Sequence, residues 1–325
     1  MTLRSRKLAF MLTAVGLVFC CVEAALRVTT SEVGHATIPD DEVRRHVEQG
    51  EMSYDPVLGW VRANYPSPAE GVDEHGFRYV QKLTVEKPGN TWRAFSIGDS
   101  QTYGAGVDVK SSYSYVAEWK LRYETPSVKP AVQIINAALS GYGSLQALRL
   151  IQSKLMSWDP DVLIIDCRTF DSPRDDLLPP RDTFPLVERM LFSWRTYYVL
   201  RLMVEEARLG GARSMRTRSL DATPEELRGE YGNHDLILNY VREQGREVLF
   251  ANYPFWDNKT DTIICLAPTE ELPAGAPIAH ICEALQRDGR PPSELFLDNN
   301  HLSVAGNQVV GEALAAAIAE QFFSE

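Results

Sequence analysis

From Thr91 onward the chain alternates short apolar runs with longer amphipathic stretches. Strand-like runs lie at 92–97, 132–135, 162–165, 247–251 and 294–297. Each is brief and rich in β-branched or aromatic side chains. Helix-like stretches fall between and after them, at 112–123, 144–156, 224–244 and 304–323. Strands of this kind separated by helices imply a parallel sheet covered on both faces. The third helix has a strong start signal: Thr223 can cap, Pro224 takes the first helical position and Glu226 completes a capping box. Ser303 can cap the last helix.

The pattern before Thr91 is different. Arg4, Arg6 and Lys7 precede an unbroken apolar stretch from Leu8 to Val22, which Glu23 ends. Basic residues on this side keep it cytoplasmic and place everything after Leu26 outside the cytoplasm. Two fates are open. The run is short for a spanning helix, and Val22 and Ala24 offer a cleavage site, as in a signal peptide. It extends through Leu26 as a retained inner-membrane anchor if Glu23 reaches the headgroups. Residues 1–28 are therefore read as anchor or signal peptide, and 29–90 as an irregular extracytoplasmic segment. That segment carries aromatic side chains that suit packing on a larger domain. Residues 91–325 form the main domain, with an insertion at about 172–221. Within it Met190, Leu191, Trp194, Tyr197, Tyr198, Arg201 and Leu202 outline an amphipathic helix. It fits a surface helix packed on the sheet, a cap over a site, or a face resting on a membrane.

Composition narrows the function classes. The chain has 325 residues and a formal net charge of -11, which argues against a nucleic-acid partner. Its 44% hydrophobic content is that of a globular protein with a substantial core. Cys20 and Cys21 lie in the apolar run, and Phe19 disfavours a lipoprotein signal there. Cys265 and Cys282 can pair in an oxidising compartment or remain two separate thiols; spacing does not decide it. Cys167 reads as a small buried side chain at a strand end. No Cys/His cluster has metal-ligand spacing, so no metal is expected.

Two short motifs carry the chemistry. Gly98-Asp99-Ser100 follows the first strand-like run, and Asp298-Asn299-Asn300-His301 follows the last. In open parallel sheets the reactive crevice lies at the carboxyl ends of the strands. Ser100 there can attack an acyl carbonyl, His301 can take and return the proton, and Asp298 can orient the imidazole. Taken singly, Asp99 and Ser100 also suit a helix cap, Asp298 a turn and His301 a surface. The oxyanion needs donors, for which the Ser100 N–H and Gly141 in Asn136-Ala137-Ala138-Leu139-Ser140-Gly141 are candidates. No phosphate loop is present, because no Gly-Lys-Ser/Thr follows Gly98, Gly104 and Gly106. Gly141 and Gly143 lack the third glycine of a dinucleotide fingerprint. No cofactor is implied.

With these residues in place, residues 91–325 resemble the SGNH/GDSL hydrolase superfamily. The first block is matched by Gly98-Asp99-Ser100-Gln101-Thr102-Tyr103-Gly104, the second by Asn136 to Gly141, and the last by Asp298-Asn299-Asn300-His301 before the final helix. The resemblance implies a three-layer α/β/α sandwich with a flavodoxin-like parallel sheet, metal-independent ester chemistry and a Ser100–His301–Asp298 triad. Upstream, Glu23 and Arg27, Gly59-Trp60 and Gly76-Phe77-Arg78 resemble a bacterial membrane-anchored branch, which implies a retained anchor. The third block departs from the family pattern. In Asp166-Cys167-Arg168-Thr169-Phe170-Asp171, Asp171 matches the final Asp, while Phe170 replaces the oxyanion Asn and Arg168 the Gly. One lost oxyanion donor costs about 10²–10³ in rate.

The expected function is a membrane-tethered, extracytoplasmic serine esterase acting on an acylated small molecule or polysaccharide, with acetyl groups on carbohydrate among its substrates. An O-acyltransferase of cell-surface polysaccharide uses the same covalent intermediate. A third reading is a non-catalytic carbohydrate-binding domain that keeps the fold.

Overall fold

The computed structural model describes residues 3–29, 41–167, 186–191, 194–208, 233–266 and 275–324, apart from Pro56 and Asn64. Chain order begins with helix α1 (Leu3–Thr29), helix α2 (Asp41–Glu48) and strands β1 (Met52–Asp55) and β2 (Gly59–Arg62). β3 (Thr91–Ile97), the single-turn α3 (Ser100–Tyr103), α4 (Tyr113–Tyr123), β4 (Ala131–Asn136), α5 (Ser144–Ser153) and β5 (Val162–Cys167) follow. Then come α6 (Leu186–Leu191), α7 (Arg195–Arg208), α8 (His234–Glu243), β6 (Glu247–Asp257), β7 (Thr262–Leu266) and β8 (Ile278–Ala279). The chain closes with α9 (Ile281–Asp288), α10 (Pro292–Leu295) and α11 (Val304–Phe323).

The sheet runs β4-β3-β5-β6-β7, with β8 also on β6. β4, β3, β5 and β6 are parallel neighbours, as are β6 and β8. β6 is long enough to pair twice. Its first half, to Asn252, pairs with β5, and Tyr253 to Asp257 pairs antiparallel with β7. A disulfide joins Cys265 on β7 to Cys282 on α9, with Cα atoms 5.5 Å apart. This decides the pairing that spacing left open.

Two apolar layers cover the sheet. One joins Phe95, Ile97, Ile135 and Ile165 to Leu145, Leu148 and Ile151 of α5 and Ile237 and Val241 of α8. The other joins Ala94, Ile134 and Ile164 to Tyr113, Ala117 and Leu121 of α4 and Val310, Leu314 and Ile318 of α11. Alternate residues of one strand thus feed opposite layers, as the pleat requires. The result is the expected three-layer sandwich.

Three expectations are corrected, and a fourth falls outside the described residues. Residues 294–297 are not a strand: Pro292 starts the short α10, and Phe296 makes only an isolated bridge to Leu302. Proline at the first helical turn explains this, since its fixed φ suits a helix and it cannot donate in a sheet. The segment before Thr91 is not wholly irregular. It holds α2 and the β1–β2 hairpin, whose Trp60 is buried with Phe77 in the core of the main domain. The helix expected over 144–156 ends at Ser153 and gives way to a 3₁₀ turn at Leu155–Trp158. The helix start at Thr223, Pro224 and Glu226 lies outside the described residues, as does the side chain of Cys167; within them the helix begins at His234.

Among the described residues, no helix is long and apolar enough to cross a membrane. The expected membrane segment therefore finds no support there. α1 is one helix of 27 residues, and the side chains of Leu8, Ala9, Phe10 and Leu12 lie outside the described residues.

Candidate active site

β3 delivers the chain to Gly98, where a Cβ would meet Thr102 Oγ1 at 2.2 Å and Asp166 Cβ at 2.7 Å. Only glycine lets the strand end sit this close to the next turn. Asp99 then caps α3: its Oδ1 accepts the Gln101 N–H at 2.8 Å. Ser100 is the first residue of that helix, so its own N–H has no intrahelical acceptor. Gly104, at φ 79°, closes the turn with its N–H on the carbonyls of Ser100 and Gln101. The capping reading of Asp99 is thus correct, and it holds Ser100 at the carboxyl edge of the sheet.

The second half of the site hangs between α10 and α11. The Leu297 N–H donates to the His301 carbonyl at 2.7 Å, closing a tight loop. Asp298 Oδ1 accepts the N–H groups of Asn300 and His301, both at 2.8 Å. Its Oδ2 lies 2.7 Å from His301 Nδ1, and His301 Nε2 lies 2.8 Å from Ser100 Oγ. A carboxylate at Nδ1 fixes the proton there and leaves Nε2 to accept from the serine hydroxyl. Burial works to raise the Asp298 pKa, but the His301 hydrogen bond and the two backbone donors outweigh it and hold it below the usual carboxylate value. The Asp298 side chain is 57% exposed and that of His301 27%, so water reaches this end of the relay.

The sequence did not single out the groups that hold these two halves together. Gln101 Nε2 donates to the Asn300 carbonyl at 2.6 Å and to the Pro254 carbonyl at 3.0 Å. The Tyr253 hydroxyl bonds Asn300 Oδ1 and lies 3.3 Å from Asp99 Oδ2. The Trp256 N–H donates to the Asn299 carbonyl at 2.9 Å. β6 is therefore the bench on which the 297–301 loop rests. Gln101 was visible beside Ser100, but nothing in the pattern told its partner.

Gly141 follows β4 at φ 78°, and the Leu139 N–H reaches the Gly98 carbonyl at 3.2 Å. The loop that carries Gly141 is thereby tied to the turn before Ser100. Arg168, Thr169, Phe170 and Asp171 lie outside the described residues. A small cavity between the ends of β3 and β5 and the start of α5 is lined by Gly98, Asp99, Tyr142, Gly143, Asp166 and His234. No group of metal-ligating side chains occurs among the described residues.

No protein-family model matches the chain, and no curated protein does. Solved structures do. A lipase/acylhydrolase from Enterococcus faecalis is 14% identical, over 72% of this chain and 99% of that one, with a TM-score of 0.42. A variant of Axe2, an acetyl xylan esterase from Geobacillus stearothermophilus, is 16% identical over 74% and 99%, with a TM-score of 0.42. LAE5, an alpha/beta hydrolase enzyme from the metagenome of Lake Arreo, Spain, is 16% identical over 70% and 94%, with a TM-score of 0.40.

Proposed function

We propose that this chain is a serine ester hydrolase of the SGNH/GDSL superfamily. One observation carries the reading: Ser100 Oγ lies 2.8 Å from His301 Nε2 while Asp298 Oδ2 lies 2.7 Å from Nδ1. A helix cap, a turn residue and a surface histidine have no need to meet in that order.

Each residue then has a step. Ser100 Oγ attacks the ester carbonyl as its proton passes to His301 Nε2. Asp298 steadies the imidazolium. The Ser100 and Gly141 N–H groups are the proposed donors to the oxyanion. The imidazolium protonates the departing alkoxide, leaving an acyl-Ser100 ester. Water, deprotonated by His301, then releases the acid and restores the serine. The exposure of Asp298 supports water as the acceptor. Acetyl esters, including those on carbohydrate, are the substrates to test first.

The proposed location is extracytoplasmic, with α1 as tether. The Cys265–Cys282 disulfide supports an oxidising compartment. α1 packs against α7: the Phe19 and Trp194 rings lie 5.3 Å apart, and Glu23 Oε2 accepts the Thr196 N–H and hydroxyl, both at 2.8 Å. Glu23, also paired with Arg27 at 2.8 Å, thus has partners for its charge at the end of the apolar run. Beside it Leu186, Val187, Met190, Leu200 and Met203 face outward, the side-chain set of a helix lying at a membrane surface. Retention of the full chain in the membrane pellet after alkaline carbonate washing supports the tether; release into the supernatant removes it.

The deciding experiment for the chemistry uses the full chain in detergent with a fluorophosphonate probe and 4-nitrophenyl acetate. Labelling and acetate release that vanish in Ser100→Ala and collapse in His301→Ala are expected. Acetyl appearing on an added sugar faster than in water would turn the reading to acyl transfer. A folded protein that neither labels nor turns over would leave the non-catalytic binding domain.

A further inference from the structure

We infer that Gln101 is a positioning residue whose carboxamide sets the separation of Ser100 and His301. The inference rests on the hydrolase reading above.

Ser100 and His301 come from distant parts of the chain and from weak local structure. α3 has four residues, a single turn, which is not stable as an isolated helix. His301 sits in the loop between α10 and α11. Something must fix one against the other, because a displacement of about 1 Å between reacting groups can cost about 10²-fold in rate.

Gln101 directly follows Ser100 and is buried. It donates to the carbonyl of Asn300, the residue directly before His301, at 2.6 Å. The peptides beside the two reacting side chains are therefore clamped to each other, one bond away from the Ser100–His301 contact. The second amide hydrogen goes to the Pro254 carbonyl at 3.0 Å, which refers both halves to β6. The orientation of the amide is fixed, since turning it over would set its oxygen against two carbonyl oxygens. Asn300 is held a second time, through its side chain, by the Tyr253 hydroxyl.

Gln101→Met tests the clamp, because it keeps the volume and removes both donors. Rates of 4-nitrophenyl acetate hydrolysis are measured on the full chain and divided by the number of sites a fluorophosphonate titrates, so that unfolded protein does not count. The expected result is a fall in kcat of about 10–100-fold, with KM changed by less than about threefold. In the His301→Ala background, where the probe no longer counts sites and the rate is taken per mole of folded protein, the same substitution should leave the residual rate unchanged, since the clamp acts through His301. A purely structural role would lower the melting temperature and spare the per-site rate. If Gln101→Met does not fold, Tyr253→Phe removes the tie on the Asn300 side chain and should lower kcat by about 3–10-fold, again at constant KM. Wild-type per-site rates in the folded variants overturn the clamp alone. A wild-type chain that neither labels nor hydrolyses overturns the hydrolase reading and the clamp with it.

Discussion

Arg78 sets its guanidinium against the carbonyl oxygen of Tyr103, at the end of the one-turn helix that begins with Ser100. The same group reaches the carbonyls of Gly104, Val107 and Glu70, and its carbon lies 4.6 Å from the centre of the Tyr103 ring. Asn136 adds a donor to the Thr102 carbonyl at 2.7 Å. A helix this short leaves its last carbonyls, those of Thr102 and Tyr103, without intrahelical partners; Asn136 of β4 and Arg78, from outside the α/β sandwich, supply donors. The Gly76-Phe77-Arg78 element therefore supports the serine from below.

Arg78→Ala takes a donor from four buried or half-buried carbonyls. Unfolding free energy should fall by about 3 kcal/mol, and fluorophosphonate labelling should slow even at temperatures where the fold is intact. Arg78→Lys should recover only part of this, because an ammonium cannot fork across separate carbonyls. Chemical denaturation alongside labelling rates checks both. Equal labelling by all three proteins would show that Arg78 serves stability alone.

Within the proposed triad the three residues should not be equal. Ser100→Ala and His301→Ala are expected to lower kcat by about 10³-fold or more. Asp298→Asn should cost less than the roughly 10⁴-fold known for a buried triad aspartate, because Asp298 is half open to water, which partly replaces it. Steady-state kinetics on the three variants decide the ranking. A larger loss for Asp298→Asn than for His301→Ala would contradict it.

Gly306 stands in the first turn of α11, where a Cβ would meet the Leu295 carbonyl oxygen at 2.1 Å. The obstacle is backbone, so it cannot swing aside. Gly306→Ala should push α10 and the 297–301 loop outward, lowering stability by about 2–4 kcal/mol. Activity should fall with it, since His301 rides on that loop. Thermal melts and hydrolysis rates on one preparation test this, and a variant with wild-type melting would refute the close approach.

Glu118 gives a pH signature. Burial in the layer between α4 and the sheet raises its pKa to about 7, against the pull of Arg122. Its oxygens take the Ile134 N–H at 2.7 Å and the Tyr79 hydroxyl at 3.1 Å. The folded value lies above the unfolded one, near 4.5, so the native state binds more protons between them. Stability from this group therefore falls as pH rises from about 4.5 to about 7 and is level beyond. Glu118→Gln should remove that slope. Relative to wild type, the variant should gain on the order of 3 kcal/mol between pH 4 and pH 8. Denaturation midpoints across that range measure it, and parallel pH curves for the two proteins would contradict it.

The alternation of apolar runs and amphipathic stretches determined the sandwich, its parallel strands and the ends of α11, because burial on one or both faces leaves a period that can be counted along the chain. The motifs along it also picked out the candidate triad, because nucleophile, base and orienting acid must be particular residue types, although only Ser100 follows a strand and Asp298 and His301 follow α10. The tertiary structure decided what depends on contacts between distant segments. Glu294 to Leu297 reads apolar enough for a strand, yet Pro291 and Pro292 and the bridge from Phe296 to Leu302 turn it into a loop support. Cys265 and Cys282 became a pair only when β7 folded onto α9. Tyr253 stands in no motif, and the motifs that contain Gln101, Asn300 and Arg78 do not name their partners. Each is a hydrogen-bonding group whose partner lies far away in sequence, and only the fold brings that partner within reach.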